Sequence, residues 1–181
     1  MRIITGRAKG LRLKTPTGLS TRPTSDRVKE SLFSILSGLI NFSEVDSVLD
    51  IFAGTGALGL ESISRGANSA TFIDNATANI IRDNVTRAKF DGCKILRGDF
   101  ERILPRLNAT FDLIFSDPPY AKGLAQKSLE LVEGLSLLKA DGLMIIEHGA
   151  QETLLSNLEL VRRITYGHTT AITILERKLT T

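Results

Sequence analysis

From about residue 45 to residue 148 the sequence alternates short apolar runs with longer amphipathic segments, and no other feature restricts the possible fold as strongly. Runs of six or seven residues, each followed by a helix-length stretch, describe repeated β-α units. Successive strands joined by helices lie parallel. Strands are expected at SVLDIF (47–52), SATFID (69–74), KILRGD (94–99), FDLIFS (111–116) and GLMIIEH (142–148). The first intervening helix starts near Ala57 and stops at Gly66, a residue suited to a left-handed cap. TANIIRDNVTRAKF forms the second and is broken by Asp91-Gly92. A short FERIL helix ends at Pro105, LAQKSLELVEGLSLL forms the fourth and QETLLSNL a fifth.

The carboxyl end breaks this rhythm. LELVRRITYG and TTAITILERK are separated only by the Gly167-His168 turn, too little chain for a crossover helix, so they form an antiparallel hairpin. The expected fold class is therefore α/β, a seven-stranded, mostly parallel sheet closed by that hairpin. Two symmetric βαβαβ halves would not end this way. A single domain is expected over residues 1–181, with a catalytic core from 45 to 181 and an appendage at 1–40. In the appendage, RIIT and LRLKTP flank GRAKG as a small basic β-hairpin. A helix follows over RVKESLFSILSGL, capped by Ser25 or Asp26, with Val28, Leu32, Phe33, Ile35, Leu36 and Leu39 as its apolar set.

Charge separates the appendage from the core. Residues 1–29 hold eight basic side chains against Asp26 alone, a net +7, although the whole chain sums to +3. Clustered lysine and arginine on an otherwise acidic chain form an electrostatic footprint for a polyanion. Arg7, Lys9, Arg12, Arg22 and Arg27 are the candidate contacts, with Arg22 and Arg27 nearest the expected cleft. A lone cysteine, Cys93, excludes an internal disulfide, and no Cys/His cluster has metal-ligand spacing, so no metal is expected. No apolar run approaches the ~18 residues of a membrane span, and no secretory signal opens the chain. A cytoplasmic protein without membrane contact is expected, as a monomer.

LDIFAGTGALGLE presents Gly54-Thr55-Gly56-Ala57-Leu58-Gly59, a G-x-G-x-x-G between a strand and a helix. Glycines there permit a tight turn and a close approach of backbone to ligand. Asp50 lies inside the strand, where a pyrophosphate is unwelcome and a cationic amino-acid headgroup is not. Asp74 ends the second strand, 24 residues later, near the offset at which a carboxylate accepts from a ribose diol. Asp99 ends the third strand and is suited to an adenine amino group, with Phe100 packing beside the ring. Three carboxylates at successive strand ends favour S-adenosylmethionine, which has an ammonium and a ribose but no phosphate. The cofactor set is Asp50, Phe52, Ala53, Gly54, Thr55 and Gly56 on the first strand and loop, joined by Asp74 with Asn75 and by Asp99 with Phe100.

At the end of the fourth strand stands Asp117-Pro118-Pro119-Tyr120. An exocyclic amine on a nucleobase is a poor nucleophile, because its lone pair is delocalised into the ring. Two rigid acceptors, the Asp117 carboxylate and the Pro118 carbonyl, would each take one N–H and turn the lone pair toward the methyl group, while Tyr120 stacks on the base. Pro119 stiffens the turn. Glu147 and His148 end the fifth strand near the same edge and read as structural, and His168 as a turn residue.

VLDIFAGTGALGLES, SDPPY and the amino-terminal TRPTSDRVKESLFSIL together resemble the bacterial 16S ribosomal RNA guanine-N2 methyltransferases, the family that modifies guanine-966 of the small subunit. The likeness extends through MRIITGRAKGLRLKTP, and TRPT-x-DRV-x-E-x-LF is its most specific block. It implies the class I, Rossmann-like methyltransferase sheet, S-adenosylmethionine as cofactor and 16S rRNA or a small-subunit assembly intermediate as partner. It also implies that the hairpin and TRPT loop approach the RNA or close over the active site. Relatives often carry glutamate where this chain has Asp74. Three other readings stay open: an adenine-N6 methyltransferase of DNA, a nicotinamide-dependent oxidoreductase and a non-catalytic RNA-binding assembly factor. Asp50 and the terminal hairpin count against the second, the intact motifs against the third.

Overall fold

The computed structural model describes residues 1–16, 26–119 and 123–178. Its elements are α1 (Asp26–Leu39), β1 (Ser47–Ile51), α2 (Ala57–Arg65), β2 (Ser69–Asp74), α3 (Ala78–Ala88), β3 (Cys93–Arg97), α4 (Phe100–Ile103), β4 (Phe111–Ser116), α5 (Leu124–Gly134), β5 (Leu138–Gly149), β6 (Glu159–Tyr166) and β7 (Thr170–Glu176). One seven-stranded sheet runs in the order β3-β2-β1-β4-β5-β7-β6. The first five are parallel, and β7 runs antiparallel to both β5 and β6.

Alternate side chains along each strand point to opposite faces, and here both faces are covered. Val48, Phe72, Leu113, Phe115, Ile145 and Ile174 pack beneath α1, α2 and α3 through Phe33, Leu36, Leu60, Ile63 and Ile81. Their sequence neighbours Leu49, Ile73, Ile114, Ile146 and Leu175 pack on the other face against α4 and α5 through Phe100, Leu129 and Val132. Strand order reverses between β1 and β4, and an open α/β sheet parts its loops at that point, on the carboxyl edge.

Several expectations change. QETLLSNL is not a helix. Its backbone is captured from outside: Gln126 of α5 exchanges hydrogen bonds with Leu155 N and O, and Glu133 accepts from Ser156 Oγ, Asn157 N and Asn157 Nδ2. α3 stops at Ala88, because Lys89 (φ 54°) turns left-handed before Asp91-Gly92 is reached. α4 ends at Ile103, one residue short of the expected FERIL helix, and Pro105 sits within a single 3-10 turn, Leu104–Arg106. β5 begins earlier than expected, at Leu138, through an irregular step with Asp141 at φ 57°. The amino-terminal hairpin is reduced to one bridge, Arg2–Arg12, flanked by Ile3 N to Leu11 O and Leu13 N to Met1 O. Among the described residues, no helix is long and apolar enough to cross a membrane.

Candidate active site at the carboxyl edge of the sheet

The glycine motif divides into two jobs. Gly54 (φ 57°) faces open space: an added Cβ would approach only Phe52 O, at 3.9 Å. Gly59 is a packing glycine, since a Cβ there would meet the Phe72 ring at 2.4 Å. Between them Gly56 (φ 78°) caps α2 in the left-handed conformation and brings the helix close over Phe72 and Ile81. Phe52 also adopts a positive φ of 63°, which a non-glycine residue holds only when its surroundings fix it. Its ring packs on Phe100 with centroids 4.6 Å apart, so the β1 loop and the start of α4 meet. Ala53 is buried beside them.

The carboxylates differ in how they are held. Asp50 is 1% exposed and accepts the Gly59 amide at 3.0 Å. Burial pushes its pKa up to about 7; the Gly59 bond opposes this and the Asp74 charge adds to it. Asp74 is half-buried and organises the loops around it: Oδ2 accepts from Gly54 N at 2.9 Å, and Oδ1 from Ala76 N and Thr77 N, both at 2.8 Å. Asn75 stands exposed beside it. Asp99 is exposed and caps α4 by accepting from Glu101 N at 2.8 Å, as Asp does at a helix start. Thr77 Oγ1, next to Asp74, is the one buried side-chain polar atom without a hydrogen-bond partner among the described residues.

Asp117 leaves the sheet beside this loop, because β1 and β4 are adjacent and Ile51 pairs with Ser116. Asp117 is half-buried, Pro118 buried and Pro119 exposed. Ser116 pins the turn from beneath, its hydroxyl 2.7 Å from that of Ser128 on α5, which in turn reaches Ala125 O at 2.9 Å. Tyr120 and Arg22 lie outside the described residues. His148 is buried on the sheet, between Gly149 O and Thr173 Oγ1, and burial lowers its pKa.

The basic arm is more ordered than its charge implies. Arg7 lies over the Phe90 ring, 5.0 Å from its centroid, and Lys14 pairs with Asp83 of α3. Lys9, Arg12 and Arg27 are exposed. Lys29, counted in the net +7, is buried: its ammonium pairs with Glu61 at 3.2 Å and donates to Arg2 O. The pattern carried that signal, since Lys29 falls on the same helical stripe as Leu32, Phe33 and Leu36. Asn84 had no comparable signal, because its partners Lys14 and Thr55 come from distant parts of the chain, and Glu61 showed only its i,i+4 spacing to Arg65.

A family model described as conserved hypothetical protein 95 matches residues 1–175. Ribosomal RNA small subunit methyltransferase D of Escherichia coli strain K12 is 35% identical over 150 residues, 81% of this chain and 74% of that one. A Bacillus subtilis strain 168 protein, named as a candidate rRNA methyltransferase, is 35% identical over 178 residues, 93% of this chain and 95% of its own. Among solved structures, a candidate methyltransferase of Escherichia coli superposes with a TM-score of 0.85 at 32% identity, covering 99% of both chains. The sheet is that of class I methyltransferases.

Proposed function

The chain belongs to the conserved hypothetical protein 95 family, that of ribosomal RNA small subunit methyltransferase D, and on that premise we propose that it methylates ribosomal RNA. Its cofactor is S-adenosylmethionine, and its target is the exocyclic N2 amine of a guanine in 16S rRNA, guanine-966 by resemblance to the family. The carrying observation is the pairing of Ile51 with Ser116, which opens the glycine loop and Asp117-Pro118-Pro119 side by side at the switch point.

The residues present fit the cofactor. The left-handed Gly54 turn faces open space, and the neighbouring acidic groups suit a cation and hydroxyls better than a phosphate. When bound, S-adenosylmethionine supplies an electrophilic methyl group on a sulfonium centre. Asp50, whose pKa burial raises to about 7, would be held ionised by an ammonium group brought beside it. Asp74 keeps lone pairs beyond its three amide bonds and can accept ribose hydroxyls. Phe52, Ala53, Thr55, Gly56 and Asn75 shape the rest of this side, with Asp99 and Phe100 at the adenine end.

On the substrate side, the Asp117 carboxylate and the Pro118 carbonyl accept the two amine protons and orient the nitrogen. The exposed Lys9, Arg12 and Arg27 meet phosphates. Arm and core act as one domain, which the burial of Lys29 against Glu61 supports.

The test is methyl incorporation into 16S rRNA and duplex DNA in parallel, followed by mapping of the modified nucleotide. Asp117→Ala is expected to lose about 10²–10³ in turnover, as removal of a transition-state hydrogen-bond partner does. Full turnover in that variant, or a methyl group found on adenine N6, would overturn the reading.

A further inference from the structure

Asn84 sits on α3 at 0% exposure, and a buried amide is costly unless its polar atoms are matched. Its partners come from two separate regions. Oδ1 accepts from Lys14 N at 2.7 Å, while Nδ2 donates to Lys14 O at 3.1 Å and to Thr55 O at 3.0 Å. Both amide protons are used. The orientation is forced, because a flipped amide would set its NH₂ against the Lys14 N–H. One side chain thus takes both backbone groups of Lys14, as a neighbouring strand would, and spends its remaining donor on the glycine loop.

These regions belong to different ligands in the methyltransferase reading, on which this inference rests. Thr55 lies between Gly54 and Gly56, two left-handed residues on the cofactor side. Lys14 lies two residues before the end of the described part of the arm and two residues after the exposed Arg12, whose bridge partner is Arg2. The far end of the arm is fixed independently. Glu61 accepts from Ile4 N and Thr5 N, and Ser64 bonds Arg7 N through its carbonyl and Ala8 N through its hydroxyl. Among the described residues, the base of the arm reaches the glycine loop. It does so through Asn84 and through Met1, whose Sδ lies 3.7 Å from Thr55 Oγ1 and whose carbonyl accepts from Leu13 N.

We propose that Asn84 is a positioning residue that couples the two sites, so that S-adenosylmethionine and RNA each strengthen the binding of the other. A ligand that fixes the Thr55 peptide fixes the Asn84 amide, and with it the backbone of Lys14. The converse holds for RNA ordering the arm, since coupling between binding sites is reciprocal.

The test titrates S-adenosylhomocysteine into the full chain, with and without a saturating 16S rRNA transcript. In the wild type the transcript is expected to tighten binding by about 5-fold or more, the usual lower range of coupling between sites. Asn84→Ala brings that ratio to one. Asn84→Asp, which keeps the acceptor for Lys14 N and loses both donors, does the same. A residue that merely supports the fold would lower stability and leave the ratio intact, so an unchanged ratio in the variants overturns the proposal, as does a ratio of one in the wild type. A wild type that binds no S-adenosylhomocysteine and methylates no RNA overturns the methyltransferase reading itself. A second measurement needs no variant: S-adenosylhomocysteine alone slows amide exchange at Lys14 in the wild type. Unaltered exchange there also overturns the proposal.

Discussion

Two buried carboxylates stand at helix α2, Glu61 on the helix itself and Asp50 on the neighbouring β1, and they are held in opposite ways. Glu61 is surrounded: it accepts from Lys29, Arg65, Ile4 N and Thr5 N, with its side chain 0% exposed. Arg65 in turn lies over Phe33, 4.9 Å from the ring centroid, which closes that region against water. Asp50, equally buried, has Gly59 N as its bond to the helix, and its carboxyl is pushed toward neutrality. Burial is the same and the partners differ. A carboxylate matched by two cations and two amides is a clamp, whereas one left short of positive charge has its pKa raised and is the one that the proposed function assigns to a cationic ligand.

The sharpest way to break this contrast is Glu61→Ala. Lys29 would be left buried without its counter-charge, at a cost of about 3–5 kcal/mol, read from denaturant unfolding. Glu61→Gln, which keeps an acceptor for one amide, is expected to cost less. A loss under about 1 kcal/mol in Glu61→Ala would show that the arm is not clamped.

Next in size is the pH dependence set by Asp50. Between its ordinary 3.8 and about 7, the folded chain holds a proton that the unfolded chain has released. Its contribution to stability therefore falls as pH rises through that window. Asp50→Asn is neutral throughout and removes the fall. The stability of the variant relative to the cofactor-free wild type is expected to rise with pH across the window, by up to about 1.4 kcal/mol per unit. A flat difference would mean that the carboxyl is solvated. The smallest effect belongs to the exposed Asp99. Asp99→Ala removes one cap from α4 and is expected to cost about 1 kcal/mol or less in the same unfolding measurement.

Periodicity was enough for the core. SATFID is β2 residue for residue, and the helix predicted from Ala57 with its stop at Gly66 is α2 with Gly66 as its cap, because glycine and the end of an apolar stripe are local signals. QETLLSNL failed for the opposite reason. Its amphipathic pattern was present, but Gln126 and Glu133 offered its backbone and side chains partners that no local helix supplies. The basic arm shows the same limit. Its net charge was plain, yet which cations are held by partners depends on Glu61, Asp83 and Phe90, all more than thirty residues from the cations they meet.

The sequence by itself determined the β-α alternation, the terminal hairpin, the glycine loop and Asp117-Pro118-Pro119, since each depends on residues adjacent in the chain or repeating at a fixed period. Tertiary structure alone decided that Lys29 is matched by Glu61, that Gly59 serves packing and that Asn84 joins Lys14 to Thr55. The physical reason is that a buried polar group is defined by its partners, and those partners are brought together by the sheet order rather than by the order of the chain.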